Sequence, residues 1–263
     1  MSSYSSEEYV DRGRSLLDAN KAREALDVFA EGARRFPGDE DLMMGTAMAS
    51  LKMGDAPAAL GTLEELRERR PRSEDVLEGL VEAALACGLP ERAREAAREA
   101  QRTLGGDART LHRLGRAFYG RGLYREALPL YTRASEISPD WGEAWFGLGA
   151  CEWALNRPAN AETALRRAVT LEPEDWQARQ FLGCVLCDLG RKTEAREMLE
   201  SVPLDAPWQK PALERLVALA WWPADAERGR ALEALWRRVM GGAPAAGVRE
   251  LMEEASRRME RPA

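Results

Sequence analysis

The chain has 263 residues, of which 45% are hydrophobic and 31% are charged, and its formal net charge is -6. This composition is typical of a folded protein rather than a disordered or fibrous one. The acidic balance gives no reason to expect nucleic acid as a partner. No apolar run of about 18 residues predicts a membrane span. The N-terminal residues lack a basic segment followed by an apolar one, so we expect no secretory signal and a cytoplasmic location.

After a short tail (1–5), the sequence repeats itself with a period of 34 residues. Six units align without gaps, at 6–39, 40–73, 74–107, 108–141, 142–175 and 176–209. A period of this length is typical of proteins in which each unit is one small group of helices that stacks on its neighbours. The unit, with its positions numbered from 1 to 34, is therefore the structural element of this chain.

Three positions predict two helices and two turns in every unit. Position 15 holds the residue types that most readily adopt the left-handed conformation ending a helix: Asn20, Gly54, Gly88, Gly122, Asn156 and Gly190. Position 32 holds residues that favour a turn into the next unit: Pro37, Pro71, Gly105, Pro139, Pro173 and Pro207. Position 20, inside the second helix, is always alanine: Ala25, Ala59, Ala93, Ala127, Ala161 and Ala195.

Position 8, in the first helix, is mostly small: Gly13, Ala47, Val81, Gly115, Gly149 and Gly183. We expect these residues to face the position-20 alanine across the hairpin, because small side chains let two helices approach closely. Larger apolar residues surround them at helical spacing, as Leu111, Leu114 and Phe118 do in the fourth unit.

This pattern resembles the tetratricopeptide repeat. The fourth unit matches that signature most fully, through Leu111, Leu114, Gly115, Phe118, Ala127, Tyr131, Ala134 and Pro139. Local departures are Thr46, Gly105 and Glu152. The resemblance covers 6–209 and implies an all-α fold, a right-handed superhelical solenoid of antiparallel helix hairpins. It also implies a protein-binding role without enzymatic activity, cofactor or metal.

Beyond residue 209 the period weakens. Apolar residues at helical spacing predict a degenerate seventh repeat over 210–240, and a further amphipathic helix within 241–263. A terminal helix with a polar back is expected to cap a stack of repeats. In the alternative interpretation, this helix docks a partner or a second copy of the chain, which would allow self-association.

In the family that this chain resembles, the first helices line a groove that binds peptides, with positions 2, 5, 6, 9, 12 and 13 facing inward. In the first three units these positions are acidic with two methionines: Glu7, Asp11, Asp41, Met44, Met48, Asp75, Glu78 and Glu82. The fourth unit is basic instead, with Arg109, His112, Arg113 and Arg116. The fifth and sixth add Phe146, Trp153, Gln177, Gln180, Phe181, Cys184 and Cys187.

Two interpretations of the basic residues stay open. The three arginines recur at spacings of four and three, so they share one face of one helix. They either form a solvated face paired with carboxylates such as Glu78, Glu82 or Glu143, or bind an acidic segment of a partner. Arginine beside aromatic and amide side chains is typical of binding hot spots, which favours the second. The predicted partner is another protein that offers an acidic segment with an apolar anchor.

His112 is the only histidine, so no Ser/His triad or histidine-based metal site can be assembled, and we expect it to be exposed in the groove. Cys184 and Cys187 form a C-x-x-C inside a predicted helix, where packing is expected rather than metal or redox chemistry. Four cysteines are too few for a disulfide framework, so reduced thiols are expected. Three tryptophans near the unit junctions are expected to pack between repeats: Trp141, Trp176 and Trp208.

The sequence contains no Walker loop, Rossmann fingerprint, metalloprotease motif or G-x-S-x-G. We therefore expect a non-enzymatic scaffold or adaptor that binds a partner segment in the groove. The alternative is a client-specific chaperone or regulator of a secretion, pilus or envelope assembly system. A third hypothesis is an accessory subunit of an enzyme.

Overall fold

The computed structural model describes residues 4–103, 107–219 and 234–241, and all regular structure in these ranges is helical. Within them, each 34-residue unit holds one pair of helices. The pairs are α1 (Ser6–Asp18) with α2 (Ala22–Arg35), α3 (Glu40–Met53) with α4 (Ala56–Arg69), α5 (Glu74–Ala86) with α6 (Pro90–Thr103), α7 (Ala108–Gly120) with α8 (Tyr124–Ile137), α9 (Gly142–Ala154) with α10 (Pro158–Leu171), and α11 (Trp176–Asp188) with α12 (Lys192–Glu200). A further helix, α13, spans Lys210–Leu219. The predicted all-α fold is confirmed.

The turn inside every hairpin contains a residue in the left-handed region. The φ angles are 59° for Asn20, 83° for Gly54, 71° for Gly88, 73° for Gly122, 60° for Asn156 and 76° for Gly190. Glycine and asparagine reach this conformation more readily than other residues, because a larger Cβ substituent meets the following carbonyl. The predicted turn at position 15 is thus present in all six units.

The position-20 alanines are fully buried between the helices of their hairpins, each with 0% exposure. The side chain nearest to position 8 is the one at position 24, and the predicted contact with position 20 stays a prediction. A Cβ added to Gly13 would lie 2.3 Å from the Phe29 ring, and one added to Gly149 would lie 2.6 Å from Leu165. Position 8 is therefore small because a large buried side chain from the second helix occupies the adjacent space.

Aspartate residues form the N-caps of three of the first helices. Asp39, Asp107 and Asp175 stand immediately before α3, α7 and α11, and each accepts two backbone N–H hydrogen bonds from the first turn. Ser5 begins α1 in a capping box with Glu8. These side chains satisfy N–H groups that have no partner inside the helix, which favours a helix start at these residues.

The chain divides into two compact units, Met1–Ala134 and Ser135–Ala263. Within the first, α1 contacts α3, α3 contacts α5, and α5 contacts α7. Within the second, α9 contacts α11, and α11 contacts α13. The first helices of successive hairpins therefore lie side by side inside each unit, which brings matching positions of neighbouring repeats close together.

Residues 234–240 are also helical, and Leu235 and Trp236 are buried in one cluster with Trp208 and Leu213. The assignment of 210–240 to a degenerate seventh repeat stays a prediction. Gly105 and the predicted capping helix within 242–263 lie outside the described residues. Within the described ranges, no helix has the length and apolar character that crossing a bilayer requires.

Candidate functional site

The four basic residues predicted for the groove lie on α7 in the N-terminal unit. The Asp107 carboxylate accepts the N–H of Arg109 at 2.9 Å and begins this helix. Helical spacing then places Arg109, Arg113 and Arg116 along one face. Arg109 and Arg116 are exposed, and neither forms an ion pair with any residue that the structure describes. These two guanidinium groups are available to an incoming anion.

Arg113 has a different environment, because α5 supplies two carboxylates to it. Its Nε donates to both oxygens of Glu78, at 2.7 and 2.9 Å, and its Nη2 donates to Glu74. Burial raises the pKa of Glu78 above its usual value, although the bonds from Arg113 oppose that rise. The structure thus supports the solvated, carboxylate-paired interpretation for Arg113. Its predicted role as a donor to a partner stays a prediction, and a partner's carboxylate would have to displace Glu74 or Glu78.

His112 is half-buried, with its ring against the second helix of its own hairpin. The ring centroids of His112 and Tyr131 lie 5.3 Å apart in an edge-to-face arrangement. The expectation of an exposed histidine is therefore wrong, because position 24 of the unit covers this side of α7.

Three predicted residues form one aromatic cluster in the C-terminal unit. Phe146 and Trp153 lie on α9, and Phe181 lies on α11. The Phe181 ring centroid lies 5.1 Å from that of Phe146 and 5.3 Å from that of Trp153, both edge to face. This geometry is favourable because the positive edge of one ring meets the negative face of the next. All three side chains are partly buried against the core of this unit and keep part of their surface accessible.

Asp188 and Arg215 hold the Trp153 ring in place. The indole Nε1 donates to Asp188 Oδ2 at 2.7 Å, and Arg215 Nη2 donates to Oδ1 of the same carboxylate at 2.9 Å. The Arg215 guanidinium also lies 5.5 Å from the centroid of the Trp153 ring. A cation–π contact and two charge-assisted hydrogen bonds thus order the tryptophan before any partner binds. We call Phe146, Trp153, Phe181, Asp188 and Arg215 the aromatic surface.

The sequence analysis did not select Asp188 and Arg215. Asp188 is position 13 of the sixth unit and Arg215 is position 6 of the weak seventh unit, so both occupy positions expected to face the groove. Extending the same projection to the end of the sixth repeat and beyond it would have found them. That projection would not have shown that Asp188 and Arg215 both contact Trp153.

The two glutamines of α11 differ in solvent exposure. Gln177 is exposed, as its predicted role requires. Gln180 is fully buried, with 0% exposure. Its Nε2 donates to the Pro207 carbonyl at 3.0 Å, and its Oε1 accepts the N–H of Gln209 at 2.7 Å. The prediction that Gln180 contacts a partner is wrong, because its amide instead satisfies backbone groups of the segment before α13.

Cys184 is buried and Cys187 half-buried within α11, as expected for packing residues, and all four cysteines are free. Burial raises the pKa of the Cys184 and Cys151 thiols to about 12 in each case. Trp208 is buried, and its Nε1 donates to the Pro203 carbonyl at 2.9 Å. Among the described residues, no group of three His, Cys, Asp or Glu side chains has a metal-binding arrangement.

The stacked hairpins and their recurring turns define a helical-repeat protein. Tetratricopeptide repeat models match residues 16–77, 47–108, 112–175 and 153–220. The chain belongs to the tetratricopeptide repeat family. The fold of this family is a scaffold for protein–protein interaction.

Curated relatives share short stretches with this chain. The cytochrome c-type biogenesis protein CycH of Bradyrhizobium diazoefficiens is 34% identical over 106 residues, which cover 39% of this chain and 28% of CycH. Tetratricopeptide repeat protein 1 of Schizosaccharomyces pombe is 33% identical over 75 residues, or 28% of this chain and 7% of that protein. The chain therefore spans less than a third of the length of either relative.

Two solved structures share the fold over much greater lengths. A tetratricopeptide repeat protein from Parabacteroides merdae superimposes with a TM-score of 0.65 at 13% identity, covering 95% of this chain and 98% of the other. PilF of Pseudomonas aeruginosa superimposes with a TM-score of 0.63 at 20% identity, covering 82% and 97%. At these identities the likeness concerns the fold alone.

Proposed function

We propose that this chain is a non-catalytic scaffold or adaptor that holds a segment of a partner protein against its first helices. The aromatic surface carries this proposal. Its rings are only partly buried, and they are already ordered by mutual contacts and by Asp188 and Arg215. Pre-ordered tryptophan and arginine side chains lose little conformational entropy on binding, and both types are enriched in interface hot spots.

The proposed partner segment is acidic and carries an apolar anchor. Arg109 and Arg116 are exposed cations without an ion pair in the described part of the chain, so they offer charge-assisted hydrogen bonds to carboxylates. The aromatic surface offers apolar area to the anchor. Arg113 is left out of this proposal because Glu74 and Glu78 already occupy its donors.

The test begins with affinity capture of partners on the full chain, followed by mass spectrometry and titration calorimetry with the purified partner. Trp153→Ala is expected to weaken binding by about thirtyfold or more, as truncation of a hot-spot aromatic does. Ile137→Ala, which removes another exposed apolar side chain at the end of α8, is the control and should leave the affinity unchanged. Equal affinities of Trp153→Ala and the parent chain, with folding intact, would reject the aromatic surface as the binding site.

The second candidate is a client-specific chaperone or regulator of an envelope, pilus or secretion assembly system. The resemblance to a cytochrome c-type biogenesis protein over 106 residues supports it. The two candidates differ in stoichiometry. A chaperone holds one client in a 1:1 complex and prevents its aggregation, whereas an adaptor joins at least two folded proteins. Sedimentation of the captured partners with the purified chain distinguishes a binary complex from a ternary one.

A further inference from the structure

One face of α3 is apolar although it is open to solvent. Met44, Met48 and Leu51 follow one another at spacings of four and three, so they lie along the same side of the helix. The Met48 side chain is 45% exposed, and the other two are only partly buried. The opposite side of α3 packs into the core through Leu42 and Ala49. We call Met44, Met48 and Leu51 the methionine face. Contiguous exposed apolar side chains are typical of interaction sites.

The apolar surface continues from α3 onto α5. Leu51 shares an open depression of about 320 Å³ with Leu85 and Ala86 of α5. Arg116 of α7 lines the far side of the same depression. The methionine face therefore ends where the basic side chains of α7 begin.

Carboxylates border the methionine face on two sides, because α3 contacts both α1 and α5. Glu7 and Asp11 lie on α1, and Asp75 and Glu82 lie on α5, all at positions expected to face the groove. All four are exposed, and none forms an ion pair with a residue that the structure describes. An apolar helix face between two acidic borders is the result.

Two cations on these helices do not neutralise the borders. Lys52 donates from Nζ to the Leu17 carbonyl at 2.8 Å, so it serves the C-terminal end of α1. Arg14 of α1 is exposed. Interaction with the helix dipole stabilises carboxylates only in the first turn. Asp11 and Glu82 lie beyond the first turns of α1 and α5, so helix stabilisation does not account for them.

We propose that the methionine face binds an amphipathic helix of a partner, whose apolar stripe is bordered by lysine or arginine. The apolar side chains pack on the methionine face, and the cations on either side reach the carboxylates of α1 and α5. Methionine suits this contact because its unbranched thioether side chain adapts to different apolar shapes. The proposal goes beyond the proposed function, because it assigns a second segment of opposite charge to helices that the acidic segment does not use.

A short fluorescein-labelled peptide of leucine and lysine, with the leucines at helical spacing, provides the probe. Its affinity for the full chain is measured by fluorescence anisotropy. One comparison peptide replaces every lysine by glutamate, and another has the same composition without the helical period. Each should bind at least about tenfold more weakly than the leucine–lysine peptide. Circular dichroism of the mixture should show that the leucine–lysine peptide becomes helical on binding.

A pair of methionine variants assigns the binding to this face. Met48→Ser should weaken the leucine–lysine peptide at least about tenfold, because it removes apolar area from the contact. Met53→Ser is the matched control and should preserve the affinity. Met53 is 46% exposed on the same helix, but it points away from the methionine face.

A pair of charge variants tests the acidic borders. Asp11→Asn combined with Glu82→Gln should weaken the leucine–lysine peptide at least about fivefold at low salt, and less at high salt. Asp27→Asn combined with Glu95→Gln makes the same charge change on exposed residues of α2 and α6, the second helices of the same hairpins. This control should leave the affinity unchanged, which separates a local effect from that of net charge. Circular dichroism checks that every variant is folded.

Three results would overturn the proposal: equal affinity for the lysine and glutamate peptides, equal affinity of Met48→Ser and Met53→Ser, or a bound peptide that is not helical. Trp153→Ala separates this proposal from the proposed function, because it should weaken the natural partner and leave the leucine–lysine peptide unaffected. If Trp153→Ala also loses the peptide, the aromatic surface binds it, and the methionine face is rejected while the scaffold function stands.

Discussion

Gln177 and Gln180 lie three residues apart on α11 and have opposite surroundings. Both were expected to meet a partner, but only Gln177 reaches solvent. Gln180 places both ends of its amide against the backbone of residues 207 and 209, immediately before α13. A buried amide with two satisfied bonds stabilises this connection, and it also orients α13, which supplies Arg215 to the aromatic surface.

Gln180→Ala should therefore destabilise the chain, because it removes both hydrogen bonds that the buried amide makes to the backbone of residues 207 and 209. The expected loss in the free energy of unfolding is about 1–3 kcal/mol. Gln177→Ala, an exposed substitution on the same helix, should change it by less than about 0.5 kcal/mol. Urea denaturation followed by circular dichroism measures both. Equal midpoints for the two variants would contradict the structural role of Gln180.

The buried cysteines lead to a prediction about reactivity and pH. The thiolate is the species that alkylates, and burial raises the pKa of Cys151 and Cys184 to about 12. At pH 8 both thiols of the folded chain are therefore protonated and shielded, and iodoacetamide should modify them only after unfolding in urea. Peptide mass mapping gives the rates, and rapid modification of Cys184 at pH 8 would contradict its burial.

At the scale of the helix hairpin, a glycine or alanine of the first helix often lies beneath a large residue of the second. Gly13 and Gly45 both lie against the Phe29 ring, which is fully buried. Phe29 therefore packs its own hairpin and also the next first helix. A residue that serves two interfaces has little room to move, so the glycines beside it tolerate no added side chain.

Gly13→Ala should destabilise the first hairpin by about 1–3 kcal/mol, because its Cβ would lie 2.3 Å from the Phe29 ring. Gly61→Ala is the matched control. No atom lies within 4 Å of a Cβ added at Gly61, which is exposed within α4, so this change should stabilise the chain by up to about 1 kcal/mol through helix propensity. Thermal unfolding compares the two variants. A melting temperature of Gly13→Ala at or above that of the parent would contradict the packing of position 8 under position 24.

At the scale of the whole molecule, a stack of repeats is stabilised mainly by contacts between neighbours. Each first helix contacts the first helix of the next hairpin within its unit. The stability of such a chain is close to a sum of the stabilities of its repeats and their interfaces, so a local defect should stay local.

Hydrogen exchange on the Gly13→Ala variant tests this prediction. Exchange should accelerate in residues 6–53, which hold the altered hairpin and α3, and should remain at the parental rate in 142–188. Gly183→Ala, which places a Cβ 2.5 Å from Leu199, should give the converse pattern. Uniform acceleration along the chain in both variants would indicate one cooperative unit instead of a stack of semi-independent repeats.

The sequence alone was sufficient for the repeat and its hairpins. A turn residue with positive φ and a buried alanine in each second helix are needed in every unit, so the same residue types recur at a spacing of 34. These requirements act within one hairpin, where local backbone conformation and close helix contact decide which residues fit. Because the same residue types recur in six units, a single sequence is enough to recognise these requirements.

Whether each candidate binding residue is free, paired or covered was decided only by the tertiary structure. Arg113 is paired with Glu74, Gln180 is buried against the segment before α13, and Trp153 is held by Asp188. Each contact joins a residue of one repeat to a residue 29 to 39 positions away. A period gives the position of a side chain on its helix, but the charge and shape of the neighbouring hairpin determine whether that side chain is free, paired or covered. Those depend on the non-repeating residues, which differ in every unit.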